Sequence, residues 1–262
     1  MISLKTAEEI ELLRKSNLLV SKTLAEVARN IRPGITTRAL DRIAEQFIRD
    51  HGGVPAFLGY RGYPATLCTS VNSVVVHGIP SEYQLKEGDI ISVDCGAILN
   101  GYVGDSAYTF PVGEIPSHVF RLLKVTYESL FQGIQQAVEG KRVGDIGYAV
   151  QTHAEQNGYS VVREMVGHGI GKRLHEEPEV PNYGRRGTGA KLRQGMVICI
   201  EPMINMGTRL IVQENDGWTI RTSDNLPSAH YELAVAVGKE KADILSTFSY
   251  IEEVMNIFNN KQ

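Results

Sequence analysis

The sequence is poor in cysteine, carries no excess of basic charge and has no long apolar run. Its three cysteines, Cys68, Cys95 and Cys199, are an odd number with no CxxC spacing. That argues against a disulfide framework and gives no structural-zinc signal, so free thiols in a reducing compartment are expected. Lysine and arginine number 27 against 30 acidic residues, a net charge of −3, which leaves no electrostatic footprint of a nucleic-acid binder. No stretch is apolar enough to cross a bilayer. The opening MISLKTAEEIELLRKS has neither the apolar region nor the cleavage site of a secretory signal. A soluble, cytoplasmic protein with no membrane or nucleic-acid partner is expected. No low-complexity segment interrupts the chain. Its 262 residues, 42% of them hydrophobic, suffice for a sizeable core in one large domain or two fused halves.

The densest signal lies at residues 89–110, DIISVDCGAILNGYVGDSAYTF. Asn100-Gly101 predicts a type I′ turn, which needs positive φ at both central positions, and apolar strand-like runs flank it. Leu99 then pairs with Tyr102 and Asp94 with Ala107. Asp105 falls on the face of Asp94 and diagonal to it, roughly 7–8 Å away at the backbone. Two carboxylates aimed at one spot among apolar residues repel unless a cation or a proton lies between them. An isolated pair of this kind is more simply two solvated acids; acids elsewhere in the chain reverse that preference.

Thr6 and Glu9 predict a capping box for an amphipathic helix with Ile10, Leu13, Val20, Leu24, Val27 and Ile31 on one face, ending before Pro33-Gly34. A second helix carries Leu40, Ile43, Ala44 and Phe47 and stops at Gly52. Residues 57–80 read as a Gly- and Tyr-bearing loop followed by strands that run into His77. Beyond the hairpin, Ser117 is expected to cap a long helix ended by Gly140, and a shorter helix spans about Val143 to Gln156. Strand-like YSVVREMV leads to a loop bearing His168, then to HEEP. Further strands are expected in VICIEPMI, DGWTIRTSD and SAHYELAVAV. A helix from about Tyr250 to Phe258 closes the chain, and Asn259–Gln262 are expected to fray.

A weak internal repeat is present. Gly34, Leu40 and His51-Gly52 match Gly140, Ile146 and Asn157-Gly158 at an offset of 106, and KEGDIISVD (86–94) matches RQGMVICIE (193–201) at 107. Two matches in the same order favour a duplicated α+β unit that places Asp94 opposite Glu201. Glu201 ends an apolar strand and Glu232 opens another, where an unpaired carboxylate is rare. His168 stands between two glycines, where backbone approaches closely and an imidazole projects into a cavity. Four carboxylates and one imidazole, Asp94, Asp105, Glu201, Glu232 and His168, suit a pair of divalent cations. The oxygen-rich set admits Mn, Fe(II) or Co as readily as Zn, and points away from thiolate chemistry.

These residues lie in motifs that occur in a fixed order: GYRGYP (59–64), VVVHGIP (74–80), the Asp94–Asp105 hairpin, GHGIGKRLHEEP (167–178), IEPMI (200–204), DGWT (216–219) and SAHYE (228–232). Through them nearly the whole chain resembles the type I methionine aminopeptidases. The resemblance implies an α+β, pita-bread (creatinase/aminopeptidase-like) fold, with duplicated halves related by a pseudo-two-fold axis around a mostly antiparallel sheet. It implies a single catalytic domain over 1–262, repeats over approximately 1–112 and 113–250, and no N-terminal extension. Asp94 would chelate one metal, His168 and Glu201 would hold the other, and Asp105 and Glu232 would bridge.

The implied reaction is metal-dependent removal of the N-terminal methionine from nascent proteins and peptides with a small second residue. Two metals share a water and lower its pKa towards neutrality, and the bridging hydroxide attacks the first peptide carbonyl. Glu201 would accept the proton and pass it to the leaving amine, while the substrate α-amine binds a metal. His175 would hydrogen-bond the scissile carbonyl or its oxyanion, and His77 the adjacent peptide nitrogen. Tyr60, Tyr63, Cys68, Leu174 and Trp218 match positions that hold the methionine side chain, whose thioether suits aromatic walls. Implied partners are Met-starting peptides, nascent chains and the ribosome, and the implied state is a monomer.

The chain departs from the family pattern at three places. Arg61 stands where His is common and Leu174 where Phe is common. Leu233 stands where many relatives have His, which removes a potential partner near the metals. His168 and Glu201 are 33 positions apart, which leaves no room for the long insertion of type II enzymes. Three other readings compete. An Xaa-Pro aminopeptidase or prolidase shares the fold and the five ligands but lacks the GYRGYP…HGIP pairing. A non-enzymatic pita-bread binding protein would typically have lost ligands. A paralogue could keep the metals and change the pocket.

Overall fold

A computed structural model describes residues 2–255. The first half runs through helices α1 (Ala7–Asn30) and α2 (Thr37–Asp50), then strand β1 (Val54–Pro55), a 3-10 turn at Tyr60–Gly62, and strands β2 (Leu67–Val71), β3 (Val74–Val76), β4 (Ile90–Leu99) and β5 (Tyr102–Pro111). Helices α3 (Ser117–Ile134) and α4 (Val143–Gln156) open the second half. Strands β6 (Ser160–Val161), β7 (Gly167–Gly169), β8 (Glu176–Val180), β9 (Val197–Ile200), β10 (Met203–Asn205), β11 (Ile211–Gln213) and β12 (Ile220–Thr222) follow. Strands β13 (Ser228–His230), β14 (Leu233–Ala236) and β15 (Asp243–Ile244) precede a short helix α5 (Ser249–Val254).

The β4–β5 hairpin is the spine of the first half. Asn100 and Gly101 take φ of 53° and 78°, the left-handed pair that a type I′ turn needs. The register follows from the turn: Leu99 faces Tyr102, Gly96 faces Asp105 and Asp94 faces Ala107. On its other edge β4 pairs antiparallel with β1 and β2.

Helix α1 begins with the expected capping box of Thr6 and Glu9 and buries Leu13, Val20, Leu24 and Val27. It is also bonded to the hairpin through polar groups. The Ser16 hydroxyl donates to the Tyr102 carbonyl (3.0 Å), and Asn17 Oδ1 accepts the Asp105 N–H (3.2 Å). The strand carrying Asp105 is thereby fixed to the largest helix of its half.

The second half repeats the plan. Helices α2 and α4 are 14 residues each, with both ends displaced by 106 positions. Strand β9 lies at the centre of the sheet order β15-β14-β9-β7-β8, as β4 lies at the centre of the first sheet. Two three-stranded sheets, β13-β10-β6 and β11-β12-β3, flank these. The halves meet at β5: Ala107 bridges Glu232, and the Thr109 hydroxyl donates to the His230 carbonyl (2.7 Å). One core spans both halves, from Leu24, Leu40 and Ile91 through Tyr108 and Phe110 to Leu122, Val150, Ile198 and Tyr231.

Some local expectations are corrected. Pro116, not Ser117, occupies the capping position of α3, its carbonyl accepting from Val119 and Phe120 N–H. The same helix ends at Ile134 rather than Gly140, because the chain unwinds to bring Val138 against Gly238, where Glu139 N–H donates to the Gly238 carbonyl (2.9 Å). YSVVREMV is strand only at Ser160–Val161: Val162 N–H still reaches the Met203 carbonyl (3.1 Å), after which exposed Glu164 leaves the sheet. His168 lies in a strand, not a loop. The closing helix stops at Val254; its expected continuation to Phe258, and the frayed end at 259–262, lie outside the described residues.

Candidate metal centre

Strands from both halves aim acids at one place. Asp94 and Asp105 come from the hairpin, Glu201 follows β9 directly, and Glu232 lies between β13 and β14 against Ala107. His168, in the middle of β7, reaches in from the second sheet. The glycines on either side of it answer a packing demand: a Cβ at Gly167 would sit 2.3 Å from the Cys199 carbonyl oxygen, and one at Gly169 2.3 Å from that of Glu177. Only glycine lets this strand pass between its neighbours.

The His168 ring is in the state a metal ligand requires. Its Nδ1 lies 2.9 Å from the Gly169 carbonyl, which can only accept, so the proton is on Nδ1. The free Nε2 then faces Asp105 Oδ2 at 3.7 Å and Glu201 Oε1 at 3.6 Å. Desolvation pushes its pKa down to about 4 and keeps it neutral. Ligand atoms of Asp105, His168, Cys199 and Glu232 all lie within 4.8 Å of one another.

Burial raises the pKa of all four acids. Mutual repulsion adds to it: Glu232 and Asp94 act on Asp105, Asp94 and Asp105 on Glu201, and Glu201 and Asp94 on Glu232. Asp94 Oδ1, Asp105 Oδ1, Glu232 Oε1 and His230 Nε2 are buried without a hydrogen-bond partner. Unpaired buried carboxylates cost several kcal/mol each. Four hard oxygen donors beside one neutral imidazole fit divalent cations, which would satisfy those atoms. The five expected ligand residues are thus brought together.

Two residues of this cluster were not foreseen as part of it. His230 is 1% exposed, with Nε2 3.8 Å from Glu201 Oε2, and burial, then His77, pushes its pKa down to about 3. Cys199 is fully buried, and desolvation pushes its thiol well up; a soft sulfur is the less suited donor for cations that prefer the hard oxygens around it. A period-2 signal was available for both: His230 stands two residues before Glu232, and Cys199 two before Glu201.

The acids form the floor of a cavity of about 590 Å³, and every other expected site residue lines it: Tyr60, Tyr63, Cys68, His77, Leu174, His175 and Trp218. Tyr63 is 3% exposed, its hydroxyl held by the Leu67 and Gly78 carbonyls, and Trp218 packs edge-on against it with ring centres 5.1 Å apart. His77 has φ of 60°, a conformation costly for a non-glycine residue, and its ring also meets Trp218 edge-on. His175 is exposed at the mouth. Desolvation, then His168, Arg61 and His77, hold its pKa down to about 3. The Tyr60 hydroxyl lies 2.7 Å from His175 Nδ1. With a neutral ring, the phenol donates to Nδ1 when the ring proton is on Nε2 and accepts when it is on Nδ1. A smaller recess of about 380 Å³ over α3 and α4 contains none of the expected residues.

No helix among the described residues is long and apolar enough to cross a membrane. The sequence model of metallopeptidase family M24 matches residues 11–236. Methionine aminopeptidase of Clostridium acetobutylicum is 51% identical over 247 residues, 94% of this chain and 99% of that protein. Methionine aminopeptidase 1 of Bacillus subtilis is 48% identical over 246 residues, again 94% of this chain and 99% of that protein. The crystal structure of methionine aminopeptidase from Rickettsia prowazekii superposes with a TM-score of 0.93 at 40% identity, covering 94% of this chain and all of that one. A buried acid–imidazole cluster able to hold metal, on duplicated α+β halves with the pita-bread fold, agrees with these likenesses, and the chain belongs to metallopeptidase family M24, with the methionine aminopeptidases as its relatives.

Proposed function

We propose that the chain removes N-terminal methionine from peptides and nascent chains whose second residue is small. The observation that carries this reading is the meeting, in one cavity, of five metal-type ligands, three of them buried, with an aromatic cleft and a histidine at its mouth. Two divalent cations held by Asp94, Asp105, His168, Glu201 and Glu232 would supply carbonyl polarisation and a water nucleophile usable near neutral pH. Glu201, with its pKa raised by burial, is suited to take the proton of the attacking water and return it to the leaving amine. His175 donates Nε2–H to the scissile carbonyl oxygen as negative charge develops there. His77 contacts the peptide nitrogen. Tyr60, Tyr63, Cys68, Leu174 and Trp218 enclose the methionine side chain, whose burial is worth about 1.5–3 kcal/mol.

The test is peptide hydrolysis with Mn(II) supplied anaerobically. Release of methionine from a Met-Gly peptide, with little from Met-Leu, is expected. Cleavage of an Ala-Pro peptide instead would move the activity to the Xaa-Pro peptidases, and no cleavage despite tight metal binding would favour a binding protein or a changed pocket.

The hydrogen bond from Tyr60 makes a second prediction. In the role proposed for His175 its proton is on Nε2 and the phenol donates to Nδ1, so Tyr60→Phe removes the contact that would hold this tautomer. A hydrogen bond worth ~1 kcal/mol predicts a kcat about five- to tenfold lower. KM for Met-Gly peptides should change little, and long-range ¹H–¹⁵N spectra should show a mixture of His175 tautomers. An unchanged kcat and a single tautomer would remove Tyr60 from this role.

A further inference from the structure

The segment before α1 reaches the catalytic cavity through one ion pair. Lys5 Nζ lies 2.6 Å from Glu176 Oε2, with the two side chains only 5% and 10% exposed. Lys5 also donates its backbone N–H to the Gly195 carbonyl (2.7 Å), so the segment is anchored on both sides. Its stem lies against Gly171, where a Cβ would come within 2.8 Å of Lys5 Cε. Glu176 is the residue after His175. Its other oxygen accepts the Arg173 N–H at 3.3 Å. Residues 171–175 run between β7 and β8 without ladder bonding of their own. Gly171 is tied to β5 by the Val103 N–H (2.9 Å) and Leu174 is buried, so the part of the loop that carries His175 depends further on the Gly171–Arg173 backbone bond (3.2 Å), on the Glu176 carboxylate and on the Tyr60 contact to His175. Glu176 lines the cavity, whereas Lys5 is not among its lining residues. A carboxylate this buried keeps its place only while paired. Against the upward push of burial, Lys5 holds its pKa below the ordinary range.

We infer that Lys5 is a positioning residue for His175: the buried Lys5–Glu176 pair fixes the loop that aims the imidazole into the cavity. The inference rests on the proposed role of His175 and concerns what holds that role in place. Lys5 is 170 positions from His175 in sequence and touches neither the expected metal ligands nor the cleft. Substitution there should act on turnover and leave metal binding and methionine binding largely intact.

The experiment compares wild type, Lys5→Met, Lys5→Arg and Glu176→Gln, each alone and with His175→Ala, using the full chain with saturating Mn(II) and a Met-Gly peptide. Loss of one aimed oxyanion donor costs about 10²–10³ in kcat, so partial misplacement by Lys5→Met should cost at least about tenfold, with KM and the Mn(II) dissociation constant within about twofold. Lys5→Arg should restore most of the loss. Lys5→Met should add nothing in the His175→Ala background, since residues acting as one unit are non-additive. The His175 imidazole resonances should shift in Lys5→Met. A kcat within twofold of an active wild type, a fully additive loss, or unmoved His175 resonances would overturn the inference. Should Lys5→Met fail to fold, Glu176→Gln keeps the side-chain shape and must show the same turnover loss and non-additivity. A wild type that never releases methionine overturns the functional reading instead, and the His175 resonances still decide whether Lys5 positions the ring.

Discussion

Glu201→Gln is expected to lower methionine release from a Met-Gly peptide by about 10²–10⁴-fold at saturating Mn(II), the range for loss of a general acid–base group. The substitution keeps the shape of a side chain that is 13% exposed and removes only its charge and basicity. Burial, then Asp94 and Asp105, raise the Glu201 pKa, which makes it a stronger proton acceptor than an ordinary carboxylate. Its Oε1 faces His168 Nε2 at 3.6 Å and its Oε2 faces His230 Nε2 at 3.8 Å. An amide can satisfy neighbours there but cannot cycle a proton. The fold should survive, because Gln relieves one member of a repelling acid cluster. Steady-state kinetics over a range of Mn(II) concentrations separate weakened metal binding, which more metal overcomes, from lost proton transfer, which it does not. Wild-type turnover in the variant would take Glu201 out of the proton path.

The second large effect is on stability. In the metal-free protein Asp94, Asp105, Glu201 and Glu232 have raised pKa values, chiefly through burial. Between the ordinary carboxylate value of about 4 and the raised value, the folded protein binds more protons than the unfolded chain. Stability therefore falls as pH rises through that interval. His168, His175 and His230 act oppositely. Desolvation lowers them to about 4, 3 and 3, so the unfolded chain binds more protons up to the ordinary histidine value of about 6.5. Their contribution rises with pH and then levels off. Above about pH 6.5 only the acids still change, at up to ~1.4 kcal/mol per pH unit for each acid still protonated when folded.

Asp94, pushed up to about 7, titrates in this range, so metal-free protein should lose on the order of 1 kcal/mol between about pH 6.5 and 8, a fall of a few degrees in Tm. Bound Mn(II) replaces those protons, so it should flatten the profile and raise Tm by mass action. Urea melts across this range, with and without Mn(II), check both statements. A metal-free profile that is flat or rises above pH 6.5 would contradict the acid cluster as described.

Much of the site was legible because its signals are local. Asn100-Gly101 sets the register by itself, and register alone places Asp94 diagonal to Asp105. An acid at the end of an apolar strand, as at Glu201, is conspicuous because burial without a partner is costly. The glycines around His168 signalled the close backbone approach found there. What escaped depends on tertiary context. His230 and Cys199 stand at period-2 spacing from Glu232 and Glu201, but that spacing becomes one cluster only when the two sheets face each other. Lys5 and Glu176 are 171 positions apart, and nothing in their local sequence couples them. The end of α3 at Ile134 depends on the distant Val138–Gly238 bridge, which outweighs the helix-stopping tendency of Gly140.

The most direct single measurement is a titration of metal-free protein with Mn(II) under anaerobic conditions, following bound metal and methionine release together. Activity should be absent without metal and rise as metal is taken up, with protons released on binding. His168→Ala and Asp105→Asn should weaken uptake and activity in parallel. Full activity in the metal-free protein, or tight uptake unaffected by both substitutions, would contradict the assignment of this cluster as the catalytic metal centre.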